Sequence, residues 1–194
     1  MTIPEMHTEL NWFDLENLKP SIHEAGHAVI ARLTGYEVAW VSIDSDFIMN
    51  DPLAIQNRSA HGHPLCLTIS SVRMNPILNK RSALNKSDKE AVIGYCMHVL
   101  AGPFAECKMH PPSFNPAASA NDYSQVTTLL CHVEPNIPAR KKLLNTAKRN
   151  LSRAINEYWS EISNVAEMLR ERGTLSGDDI DAALLHKSRE GFIS

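Results

Sequence analysis

From Ser21 to about Thr34 apolar residues recur at helical spacing, with Val29, Ile30 and Leu33 on one stripe and Gly35 placed to end the helix. Residues 1–20 read as an irregular or short helical lead-in that stops at Pro20. The pattern then changes to alternation in "YEVAWVSI" (36–43), rich in β-branched and aromatic residues, which predicts a strand. "DSDFIMNDPLAIQNRSAHGHP" (44–64) is polar and turn-rich and predicts a long loop. "LCLTISSV" (65–72) predicts a second strand able to pair with the first. "RMNPILNKRSALNK" (73–86) reads as another loop. Ser87 to Glu90 then has a capping-box pattern, opening a helix to about Cys107 with its weak point at Gly102-Pro103.

The proline-rich "HPPSFNPAASAN" (110–121) precedes a helix expected from Asn121-Asp122 to about Val133. Asn136 and Pro138 start a long helical region that ends at Arg172, before Gly173. Within it Trp159, Ile162, Val165, Ala166 and Leu169 have the spacing of a core face, while "ARKKLLNTAKR" (139–149) reads as a solvated basic face. Ser176 to Asp179 opens a last helix through about Lys187. The expectation is a mainly α fold, an array of about six helices with a small two-stranded β ribbon. It forms a single domain over 1–194, with 21–187 as its core.

Composition narrows the function classes. With 194 residues, 43% hydrophobic and 21% charged, the chain is expected to fold as one soluble globular body. A net charge of −3 gives no reason to expect nucleic acid or an anionic membrane as partner. No apolar run is long enough for a membrane segment, and the acidic, polar start is not a secretory signal. Cys66, Cys96, Cys107 and Cys131 form no CxxC pair, which fits reduced, buried thiols and a cytoplasmic location. There is no phosphate-binding GxxxxGK[ST] loop.

The chemistry begins in "SIHEAGHAVI" (21–30). Residues four apart on a helix share a face, so His23 and His27 can aim two imidazole nitrogens at one ion. Glu24 lies on the adjoining face, where a carboxylate can take a proton from water activated by zinc. A competing reading is purely structural: S-I-H-E is itself a capping box, and nine histidines raise the chance of an accidental motif. A catalytic zinc needs a third protein ligand. The extended pattern HExxHxxGxxH is excluded by Ile30 and Leu33, which leaves Asp44, Asp46, the pair His61 and His63, Glu106 and Asp122. His61 and His63, in a Ser/Gly/Pro-containing stretch, read better as exposed loop residues.

"HEAGHAVIARLTG" resembles the zinc-binding helix in the peptidase domain of FtsH-type ATP-dependent metalloproteases. "VLAGPFAE" (99–106) is similar to that family's LLGGRAAEE segment, and "ASANDYSQVTTL" (118–129) to its GASNDLxxAT segment. "YWSEISNVAEMLRERGTLSGDDI" (158–180) is similar to its closing region. The likeness covers most of residues 21 to 185 and is weakest between 44 and 85.

The resemblance implies zinc held by His23, His27 and Asp122, with Glu24 as catalytic base and Glu106 orienting a histidine ligand. It also implies peptides or unfolded proteins as substrates, and an edge strand near 65–70 that pairs with them. The chain departs from the pattern at Pro103, where the family has arginine, and at Cys107, where it has a second glutamate. The family's ATPase and membrane anchor are missing from these residues. The substrate is therefore expected to differ or to be brought by a separate delivery partner, with a homo-oligomer also compatible. Two other readings remain at this level: a non-catalytic partner-binding module on the same scaffold, and a zinc amidohydrolase acting on a small molecule.

Overall fold

The computed structural model describes residues 12–56, 65–69, 71–80, 82–110 and 119–184. His61 and His63, and most of the proline-rich loop, lie outside them.

The first helix, α1 (Trp12–Leu33), runs through Pro20 instead of starting after it. Pro20 falls at an exposed position of the helix. The buried stripe that follows holds the helix: Ile22, Ala25, Ala28, Val29 and Ile30 are shielded from solvent. Ser21 therefore sits in mid-helix, buried, with its hydroxyl unpartnered among the described residues. That removes the capping-box reading of S-I-H-E. Gly35 ends the helix at φ 81°, a conformation only glycine takes without strain.

Strand β1 (Glu37–Ser42) forms as expected and pairs antiparallel with β2 (Leu65–Ile69), Trp40 lying opposite Leu67. The expected ribbon is in fact a three-stranded sheet of order β2-β1-β3, because Thr174–Ser176 pairs with β1 on its other side as β3. Three residues carry too little periodicity to signal a strand; pairing with β1 makes it one.

The predicted loops also gain structure. Ser45–Asn50 (α2) and Pro52–Gln56 (α3) are short helices started by Asp44 and Asp51, whose carboxylates accept the next backbone N–H groups. Together they cover the outer sheet face, burying Ile48 and Ala54 against Trp40 and Leu67. Ser71–Leu78 forms α4 despite Pro76, which falls at an exposed position.

Helix α5 (Lys86–Met109) is capped two residues earlier than predicted, by a reciprocal Asn85–Asp88 box, and continues past Gly102-Pro103 without a break. Tertiary packing overrides the local signal there, since Ala101, Gly102 and Pro103 are all buried in a helix flanked by α1 and by α7 (Ile137–Glu157). The α6 helix (Ala120–Val133) starts next to Asp122 as expected. The long helical region is two helices, α7 and α8 (Trp159–Arg172), broken at Tyr158, which takes a non-helical turn. Gly173 at φ 74° stops α8, and α9 (Gly177–Leu184) begins at a Ser176–Asp179 capping box.

Helix α1 is the centre of the body, packed against α5, α8 and β1. Ile162, Val165, Ala166 and Leu169 are buried as predicted, whereas Trp159 is only partly covered and lies under the Lys108 ammonium. The fold is thus mainly helical, with nine helices and one small antiparallel sheet among the described residues. No helix among them is long and apolar enough to cross a membrane, and all four cysteines are free, Cys131 being exposed.

Candidate metal centre

The site is built where α1 and α5 come closest. Gly26 faces α5 so tightly that a Cβ there would stand 2.9 Å from the Ala101 carbonyl oxygen. Gly102 faces back, and a Cβ on it would meet the Nε2 atoms of both His23 and His27 at 2.5 Å. Two glycines therefore allow the backbones to approach and leave the imidazoles a pocket against α5.

Each imidazole is fixed through its other nitrogen. His23 Nδ1–H donates to the Glu106 Oε1 at 2.5 Å, and His27 Nδ1–H donates to the His98 carbonyl oxygen at 2.7 Å. Both partners are oxygen acceptors, so each histidine carries a hydrogen on Nδ1 and is left with Nε2 as the nitrogen that can bind an ion once it is unprotonated. Those two Nε2 atoms face each other at 3.0 Å. Lone pairs this close repel unless a proton or a cation lies between them.

Asp122, in the first turn of α6, supplies a third donor, with Oδ2 3.6 Å from His23 Nε2. One donor atom from each of His23, His27 and Asp122 falls within 4.8 Å of the others. For metal–donor bonds of ~2.0–2.2 Å, donors at tetrahedral corners stand about 3.3–3.6 Å apart. The His23–His27 and His23–Asp122 separations, 3.0 and 3.6 Å, are within a few tenths of an ångström of that spacing, and the third lies within 4.8 Å.

Burial sets the electrostatics. Glu24 is buried, and loss of solvation pushes its carboxyl up to about 7, with the Asp122 and Glu106 charges adding to the rise. His23 and the Cys66 backbone N–H, which donates to the Glu24 carboxylate, oppose it. Asp122 rises to about 6, again mainly through burial, which outweighs the favourable α6 N-terminus and the pull of His23. His23 is lowered by burial, but the Glu106 hydrogen bond and the surrounding carboxylates outweigh this and leave it above its ordinary value. Burial and the His23 charge hold His27 well below its own. Three carboxylates and two imidazoles packed around one point form a set that a cation would stabilise.

Of the candidate third ligands, Asp122 joins the histidines. Asp44 starts α2 instead, Asp46 is exposed in that helix, and Glu106 binds the far nitrogen of His23. Sequence reasoning found Glu106 but missed its two companions on α5. His98, Gly102 and Glu106 stand four residues apart along one face, so a carbonyl, a bare backbone and a carboxylate line up against His27 and His23. That i, i+4, i+8 spacing opposite the paired histidines was the available signal.

Glu24 also ties the centre to the sheet. The backbone of Cys66 in β2 lies close enough to Glu24 to favour its ionised form, and among the described residues β2 pairs with β1 alone. Strand β2 therefore borders the site, at the edge of the sheet among the described residues.

No protein-family model matches the chain, and no curated protein matches it in sequence. The likeness to FtsH-type peptidases rests on the four quoted segments and on the order of their functional residues.

Proposed function

We propose that this chain is a zinc-dependent peptidase that hydrolyses peptide bonds in unfolded proteins or peptides. The observation that carries the proposal is the meeting of the His23, His27 and Asp122 donor atoms, from residues 23 to 122 of the chain, next to a buried Glu24. Two neutral imidazoles and one carboxylate are a donor set zinc favours, one short of four-coordination. Held there, zinc supplies Lewis acidity that polarises a carbonyl and acidifies water.

The protein's own groups divide the remaining work. Glu106 and the His98 carbonyl hold the imidazole rings in orientation and keep their protons on Nδ1. Glu24 accepts a proton from the water that attacks the peptide carbonyl and delivers it to the departing amine nitrogen. A carboxyl lifted toward 7 by burial is suited to both transfers near neutral pH. An extended peptide pairing with the edge strand β2 would lie beside Glu24, which favours unfolded segments as substrates.

The test is metal content and casein cleavage by the purified protein. The unmodified protein binds zinc and cleaves, and a chelator abolishes cleavage until zinc is restored. Glu24→Gln keeps zinc and loses activity by at least about 100-fold. Asp122→Ala loses both. A protein that takes up no divalent metal, or a zinc-loaded one that leaves casein intact, would sink the proposal.

A further inference from the structure

The side chain of His98 is a buried polar group beside the centre that the chemistry above leaves unused. The His98 carbonyl oxygen holds His27, a task the backbone of any residue performs, so the imidazole is not needed for it. The ring is only 7% exposed, with the Tyr95 and Tyr36 rings 5.2 and 5.4 Å from it. Its Nδ1 has no hydrogen-bond partner among the described residues. In such surroundings an apolar side chain would fill the space without leaving a polar atom unpaired. What the imidazole gains is at its other nitrogen: Nε2 lies 3.5 Å from Thr68 Oγ1, the outer reach of a hydrogen bond.

Thr68 belongs to β2, and no other polar side-chain contact joins α5 to that strand among the described residues. Side chains alternate along a strand. Leu65 and Leu67 pack on the outer sheet face with Trp40, so Cys66 and Thr68 turn toward α1 and α5. Because the Cys66 backbone lies beside Glu24, β2 meets the centre at two points two residues, or about 7 Å, apart. The ladder to β1 is irregular at this place. Val38 pairs with Thr68 and Trp40 with Leu67, which leaves Ala39 as an extra residue between them. Such a bulge bends the ladder locally, so pairing with β1 alone does not set the course of β2 at Thr68.

We propose that the His98 side chain is a positioning residue that fixes the course of β2 beside the metal centre, acting through Thr68. Two points fix a line, whereas the Cys66 contact alone leaves the strand to pivot about Glu24. The consequence for a substrate rests on the peptidase reading. A peptide paired with β2 takes its place from the strand, so His98 decides where the scissile carbonyl stands relative to Glu24 and the ligand atoms. A misplaced strand still pairs with the peptide but offers the bond at the wrong point, and a displacement of about 1 Å can cost about 100-fold in rate.

The test combines amide hydrogen exchange in the zinc-loaded full chain with cleavage of a casein peptide of about ten residues. His98→Leu keeps an apolar filler in the space and loses the polar contact. Exchange of the β2 amides then quickens about 10-fold while that of β3 is unchanged. Zinc content stays at that of the unmodified protein, since the carbonyl at position 98 remains. The kcat falls about 10-fold and KM stays within about 2-fold, the mark of a peptide bound but misplaced. Thr68→Val does the same, and the double variant is no worse than either single one. His98→Gln, whose amide reaches Thr68 as donor or acceptor, restores both exchange and kcat. Unaltered β2 exchange in His98→Leu overturns the proposal, as does an unaltered kcat in a protein that cleaves. So does a loss that His98→Gln fails to rescue, or one that comes with loss of zinc. If the unmodified protein leaves the peptide intact while β2 exchange answers to His98 and Thr68 as stated, the peptidase reading fails and the positioning of β2 stands.

Discussion

The α5 face at positions 98, 102 and 106 and the α2–α3 segment handle their side chains in opposite ways. On α5 the groups facing α1 are buried and matched: a carbonyl and a carboxylate each receive an imidazole N–H, and a glycine leaves the space both rings occupy. On α2–α3 Ile48 and Ala54 turn inward and Phe47 meets the Trp40 ring edge-on, while Met49, Leu53 and Ile55 are exposed. The first region is over-determined, since each part constrains another and any added atom collides. The second is held at two points and tolerates change. Burial makes the geometry of a polar site exact by penalising every unpaired group, whereas an exposed surface keeps its options for a partner.

The largest expected effect comes from filling the space at Gly102. Gly102→Ala places a methyl group 2.5 Å from both Nε2 atoms. Overpacking of this kind should cost about 1–3 kcal/mol in urea unfolding. Metal affinity measured by competition with a chelator should fall by about 100-fold or more, the upper end of what loss of ligand positioning costs. Wild-type affinity in Gly102→Ala would mean that α1 and α5 are not held this close.

Next in size is Glu106→Gln, which keeps a hydrogen-bond acceptor for His23 Nδ1 and removes the charge. Affinity for zinc should drop about 10–100-fold while the circular dichroism spectrum and melting temperature stay near those of the unmodified protein.

A third measurement reads the buried charge through pH in the metal-free protein. Glu24 is raised from 4.5 to about 7, so between those values the folded state binds more protons at this site than the unfolded state does. Its contribution to stability is full below about pH 4.5 and is lost as pH rises through about 7. Glu24→Gln cannot titrate. Its stability relative to the unmodified chain should therefore improve by roughly 1–3 kcal/mol from pH 4.5 to above 7. A difference that stays flat with pH would show that Glu24 is solvated. The smallest effect belongs to the open region: Met49→Ser should change monomer stability by no more than about 0.5 kcal/mol.

How much could be read from the chain follows the same division. The α1 histidines, the α6 start at Asp122, both glycine stops and the Ser176–Asp179 cap were legible because each is a local pattern spanning a turn or two of chain. Pro20, Pro76 and Gly102-Pro103 misled because they signal breaks that burial of neighbouring stripes overrode. The α2–α3 segment looked like a loop because its polar residues are helix starters, and its inward face comprises just two side chains. Tyr158 gave no warning, since the break between α7 and α8 has neither proline nor glycine.

The sequence by itself determined that His23, Glu24 and His27 lie on one helix with both imidazoles on one face, because a period of 3.6 residues leaves no alternative once the helix forms. Tertiary structure alone decided that Asp122 reaches them, that α5 presents a carbonyl, a bare backbone and a carboxylate in register behind them, and that β2 runs beside Glu24. The reason is range. Local periodicity acts within a few residues, whereas the meeting of positions 23, 27, 98, 102, 106 and 122 depends on how closely two helices pack, and two glycines set that distance.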